Sequence, residues 1–123
     1  MNDLATTSKD MVMEYFEALS AHAKPDELVS RYVSDPSLRE HIRQAEAAFP
    51  SYELIAEQTI AEGDTVAVRG TMKGTHTGEF AGLPPTGRKI AVDVMLFYRV
   101  ADGRIAEHWM QWDMGAVMRQ LTS

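Results

Sequence analysis

Gly74-Thr75-His76-Thr77-Gly78-Glu79-Phe80-Ala81-Gly82-Leu83-Pro84-Pro85-Thr86-Gly87-Arg88 leads into two strand-like runs that end in Glu107-His108-Trp109-Met110-Gln111-Trp112-Asp113. The first stretch is too rich in Gly, Pro and Thr to be regular structure, so it reads as a long, ordered loop. Lys89 to Val100 is a strand, Ala101-Asp102-Gly103 a tight turn and Arg104 to Asp113 its antiparallel partner. Working back toward the N-terminus, Tyr52 to Ala61 and Thr65 to about Lys73 form a second hairpin around Glu62-Gly63-Asp64. Before Pro50 the period changes to that of a helix. Met11, Val12, Tyr15, Phe16 and Leu19 recur at helical spacing, with Thr7 or Ser8 as the expected N-cap. Pro25-Asp26-Glu27 opens a short helix to about Tyr32. Asp35-Pro36 supplies a cap and a first-turn proline for a third, whose apolar face carries Leu38, Ile42, Ala45 and Phe49. A last helix is expected over about 115–121.

Helices first and antiparallel hairpins second is an α+β pattern, with a cavity between helices and a curved sheet. The 123 residues suit one domain, 1–123, with an ordered core over about 8–121. A net charge of −6 with scattered basic residues argues against nucleic acid as a partner. No apolar run approaches bilayer length and no secretory signal is visible, so a cytoplasmic protein that does not enter the membrane is expected. The chain lacks cysteine, which excludes disulfides and thiolate chemistry. Histidines at 22, 41, 76 and 108 show no metal-ligand spacing, so no metal site is expected.

The 74–88 loop, the run Asp102-Gly103-Arg104-Ile105-Ala106-Glu107-His108-Trp109, and Asp113 four residues on resemble the SnoaL-like polyketide cyclases. These belong to the NTF2-like superfamily of cone-shaped α+β folds, and the likeness covers nearly the whole chain. The resemblance implies a cofactor-independent polyketide (ester) cyclase or isomerase. In it a carboxylate at the position of Asp113 would act as general acid/base, taking a proton next to a carbonyl of a hydrophobic small molecule. Two positions depart from the family pattern. The strand Val92-Asp93-Val94-Met95-Leu96-Phe97-Tyr98 holds no histidine, and Val33-Ser34-Asp35-Pro36 stands where many members carry a His-Asp-Pro-like segment.

Strand alternation puts Glu107, Trp109, Gln111 and Asp113 on one face, and His108, Met110 and Trp112 on the other. If the first set faces the cavity, Asp113 is the catalytic base and Trp109 and Gln111 contact the substrate. The alternative is that Asp113 caps the final helix. His76, His41, Tyr15 and Phe97 complete the candidate substrate-binding set. The alternatives are that His76 orders its loop, that His41 is a half-exposed helix residue, and that Tyr15 is core packing and not an oxyanion donor. The face with His108, Met110 and Trp112 would then be apolar and open, which predicts a two-fold homodimer through it. Asp93 is a possible second carboxylate, as an epoxide hydrolase would need. A noncatalytic binder of small hydrophobic ligands is the remaining alternative.

Overall fold

The computed structural model describes residues 3–122. Helix α1, Asp3–Leu19, buries Ser8, Val12, Tyr15, Phe16 and Leu19 along one stripe. It starts a full turn before the expected caps, so Thr7 and Ser8 lie inside the helix. Helix α2 is Asp26–Tyr32 and α3 is Pro36–Ala48. The start of α3 follows from its sequence: Asp35 accepts a hydrogen bond from the Ser37 amide at 2.9 Å, and Pro36 occupies the first turn.

Four strands follow: β1 Glu53–Glu62, β2 Thr65–Thr75, β3 Lys89–Ala101 and β4 Arg104–Trp112. They form an antiparallel meander in the order β1-β2-β3-β4. Helix α4, Met114–Thr122, closes the chain against β3, burying Val117 and Leu121. There Gln120 extends the ladder, accepting from the Ala91 amide and donating to its carbonyl. The β3–β4 turn is the two-residue kind, with positive φ at both Asp102 and Gly103, which matches the twist of a hairpin.

Alternation on β3 is strict. Ile90, Val92, Val94, Leu96 and Tyr98 point into the core with Val66, Val68 and the apolar faces of α1 and α3. Met95 and Phe97 point out. On β4 the alternation is interrupted. Arg99 pairs with Glu107 and Val100 with Ile105, so Ala106 is an extra residue, a β-bulge. Ile105 is fully buried, but beyond the bulge the inward side passes to His108 and the residues in step with it.

That bulge reverses the expected assignment of faces. Trp109, paired with Phe97, lies on the outer surface and is 53% exposed, and Gln111 is exposed as well. Met110 and Trp112 look inward, under the helices. The face on which a homodimer was expected is therefore already occupied within the chain. The outer face instead shows Ile55, Met95, Phe97 and Trp109.

Candidate functional site

Between the sheet and α1 and α3 lies a cavity of about 580 Å³, within the range of small-molecule sites. Its wall is mostly apolar: Leu38, Ile42, Leu54, Met72, Val94 and Leu96, with Met110, Trp112 and Met114 nearer α4. Methionines accommodate flat ligands by changing rotamer. Phe80 reaches in from the 76–88 loop, edge-on to Trp112 at 5.9 Å between ring centroids. The loop is anchored by Thr77 and Gly78, whose amides both donate to the Ala48 carbonyl at 3.1 Å. Any side chain at Gly78 would collide there, since its Cβ would lie 2.0 Å from the Ala47 carbonyl oxygen.

Polar groups are few. Tyr15, Tyr52 and Tyr98 line the cavity, and Tyr15 lies edge-on to Tyr98 at 5.9 Å. Burial raises all three phenols well above their ordinary range; for Tyr15 the neighbouring Tyr98 and Tyr52 add to the effect. They remain O–H donors at any working pH. Tyr52 is held from behind by the buried Lys24, whose ammonium sits 4.0 Å over its ring and bonds Glu46 at 3.1 Å.

Gln44 and Glu79 also line the cavity, both exposed to solvent. A further polar group is a chain of three side chains. His41, on α3, lines the cavity. Its Nδ1 lies 3.2 Å from His108 Nε2, with the rings nearly perpendicular. His108 Nδ1 in turn lies 2.8 Å from Asp35 Oδ2. The local fold explains the meeting. Residues Val33 to Asp35 run beside the start of β4, with the Ser34 and Asp35 amides both donating to the Ile105 carbonyl. The bulge at Ala106 then turns His108 toward them. Desolvation would raise the Asp35 carboxyl, but the His108 hydrogen bond and the Ser37 and Leu38 amides outweigh it and hold it below its ordinary value.

The remaining candidates lie elsewhere. Asp113 is solvent-exposed and accepts from the Ala116 amide at 2.9 Å, with Arg119 at 3.9 Å; it caps α4 and does not line the cavity. Trp109, Gln111 and Phe97 are on the outer face and cannot contact a ligand inside. Asp93 points outward too. His76 is buried, but its Nδ1 accepts from the Thr86 amide at 3.1 Å, so it orders the loop and stays out of the cavity lining. Of the residues expected to bind substrate, the fold brings His41 and Tyr15 to the cavity. Sequence reasoning missed Asp35, read as a cap alone, and the inward turn of His108. Among the described residues, no group of three or more potential ligands is arranged to hold a metal ion.

Comparison with known proteins agrees with this architecture. AclR of Streptomyces galilaeus, a candidate hydroxylase, superposes with a TM-score of 0.80 at 25% identity, covering 95% of this chain and 82% of its own. IdmH of Streptomyces antibioticus, a candidate polyketide cyclase, does so at 0.73 and 27%, covering 94% and 99%. Nogalonic acid methyl ester cyclase of Streptomyces nogalater is 32% identical over 76 residues, which are 61% of this chain and 57% of that enzyme. The open sheet under helices is thus the NTF2-like fold of these proteins. The model of the SnoaL-like polyketide cyclases matches residues 2–121, essentially the entire sequence, and the chain belongs to that family.

Proposed function

We propose that this protein abstracts a proton from carbon next to a carbonyl of a hydrophobic, polyketide-like molecule, so that an intramolecular aldol addition closes a ring. The observation that carries this reading is an imidazole, His41, which is solvent-exposed yet lines a largely apolar cavity whose other polar lining residues are Gln44, Glu79 and three tyrosines. An imidazole is a base of suitable strength near neutral pH, and the apolar wall beside it accommodates the hydrophobic body of the substrate. The enolate oxygen is served by a phenolic donor, with Tyr15 and Tyr98 in the same wall. The similarity to a methyl ester cyclase supports an ester of a polyketide acid as the substrate class. His41 takes the role that Asp113 was expected to hold, because the Asp113 carboxylate lies outside the cavity and is engaged as a helix cap.

The test is deuterium uptake at carbon in deuterated water, followed by NMR across a panel of activated ketones and β-keto esters. Wild-type protein is expected to exchange. His41→Gln is expected to lose about 10²- to 10⁴-fold while still binding the ligands. Binding without exchange in the wild type would replace this reading with that of a noncatalytic carrier of hydrophobic molecules.

A further inference from the structure

We infer that Asp35 is a positioning residue that sets the proton on His41 through His108, making these three side chains one proton relay. The inference rests on the proton-abstraction reading above for its use, but not for its structure. Its basis is hydrogen-bond complementarity. An ionised carboxylate only accepts, so at 2.8 Å from Asp35 Oδ2 the Nδ1 of His108 must carry a hydrogen. In neutral His108 the other nitrogen, Nε2, is then a bare acceptor. At 3.2 Å from it, the Nδ1 of His41 must donate. Both neutral imidazoles are therefore Nδ1–H tautomers. Nε2 of His41 is left as a lone pair, and among the described residues no hydrogen bond engages it.

The same chain can hold the proton it receives. The substrate C–H bond breaks, its proton goes to His41 Nε2, and the electron pair becomes the enolate. His41 then passes its Nδ1 proton to His108 Nε2. The positive charge comes to rest on His108, whose side chain is 6% exposed, directly against the Asp35 carboxylate at 12%. His41 is neutral again and carries its hydrogen on Nε2. When the enolate carbon attacks the acceptor carbonyl, the new alkoxide takes that proton. His108 returns its own to His41 Nδ1, and the relay is reset with no net change. One imidazole so serves as base and acid, and the compensating charge is kept off the apolar wall.

Asp35 also caps α3 through Oδ1, which bonds the Ser37 amide, while Oδ2 holds His108. Asp35→Asn separates these tasks. Asparagine caps a helix about as well as aspartate, so a merely structural role predicts unchanged tautomers and rate. The relay predicts that the Asn amide donates to His108 Nδ1, which inverts both tautomers and puts a hydrogen on His41 Nε2. The experiment is long-range ¹H–¹⁵N correlation of the imidazoles in labelled full-length protein, alongside the exchange assay and a thermal melt. We expect Nδ1–H tautomers for His41 and His108 in the wild type. In Asp35→Asn we expect a cooperative melt with only a modest loss of stability, an inverted His41, and kcat for exchange lower by about 10²- to 10⁴-fold with KM little altered. An Nε2–H tautomer at His41 in the wild type, or an Asp35→Asn protein with unchanged tautomers and rate, overturns the relay. The expected tautomers with no exchange by the wild type would leave the relay standing and overturn the proton-abstraction reading.

Discussion

Asp35 and Asp113 do the same local work in two regions of the molecule. Each precedes a helix and accepts a hydrogen bond from an amide of its first turn, Ser37 in one case and Ala116 in the other, both at 2.9 Å. Their surroundings separate them. Asp35 is wedged between α3 and the start of β4, and its second oxygen holds His108, which in turn meets His41 of the cavity wall. Asp113 stands past the end of β4, with a side chain 60% exposed and Arg119 3.9 Å from its second oxygen. A capping aspartate thus gains a second task only where the tertiary fold brings a buried partner to its free oxygen.

The largest effect that could break this contrast is on turnover. Asp35→Asn is expected to slow exchange by about 10²- to 10⁴-fold, whereas Asp113→Asn should leave the rate unchanged. The reverse result in that assay would return the base to Asp113. Next comes stability in urea. Asp113→Ala should cost about 0.5–2 kcal/mol for the lost cap. Asp35→Ala should cost that plus about 1–3 kcal/mol, because the buried His108 N–H loses its acceptor. Equal losses would mean that His108 finds another partner.

A smaller effect should appear with acid. The Asp35 carboxyl is held below its ordinary value, so the stability it adds is complete above about pH 4, the ordinary carboxylate range. That contribution should fade as the pH falls through the lower folded value. Urea melts of wild type and Asp35→Asn are expected to differ by a constant amount from neutrality to about pH 5, then to converge. A gap that stays constant down to pH 2 would show that the carboxylate is no better solvated in the fold than outside it. The smallest effect is on the outer sheet. Trp109→Ser should leave exchange and ligand affinity unchanged, and Trp112→Ser should weaken binding of a flat aromatic ligand measured by calorimetry. Equal losses would put the inward face in doubt.

The order of elements was legible because it depends on local signals. Asp35-Pro36 opens α3 and Asp102-Gly103 makes the β3–β4 turn through the conformations those residues favour. Tyr15 could be nominated from the apolar face of its helix, where periodicity reports burial directly, and exposed His41 from its place beside the apolar face of α3. Strand alternation gave no such help on β4. It holds only while every residue is paired, and Ala106 is not, so Trp109 and Gln111 exchanged places with Met110 and Trp112.

The sequence by itself determined an α+β chain of helices followed by antiparallel hairpins, with a cavity between the layers and an aspartate cap on α3. It also carried a family signature strong enough to be recognised from the 74–88 loop and β4. Only the tertiary structure decided which side of β4 faces the cavity and which aspartate joins the site. Caps, turns and helical faces arise between residues a few positions apart, where propensity and spacing act. The bonds from His108 to His41 and Asp35 join residues 67 and 73 positions apart. They depend on one bulge and on Val33 to Asp35 lying beside β4, and long-range packing sets both.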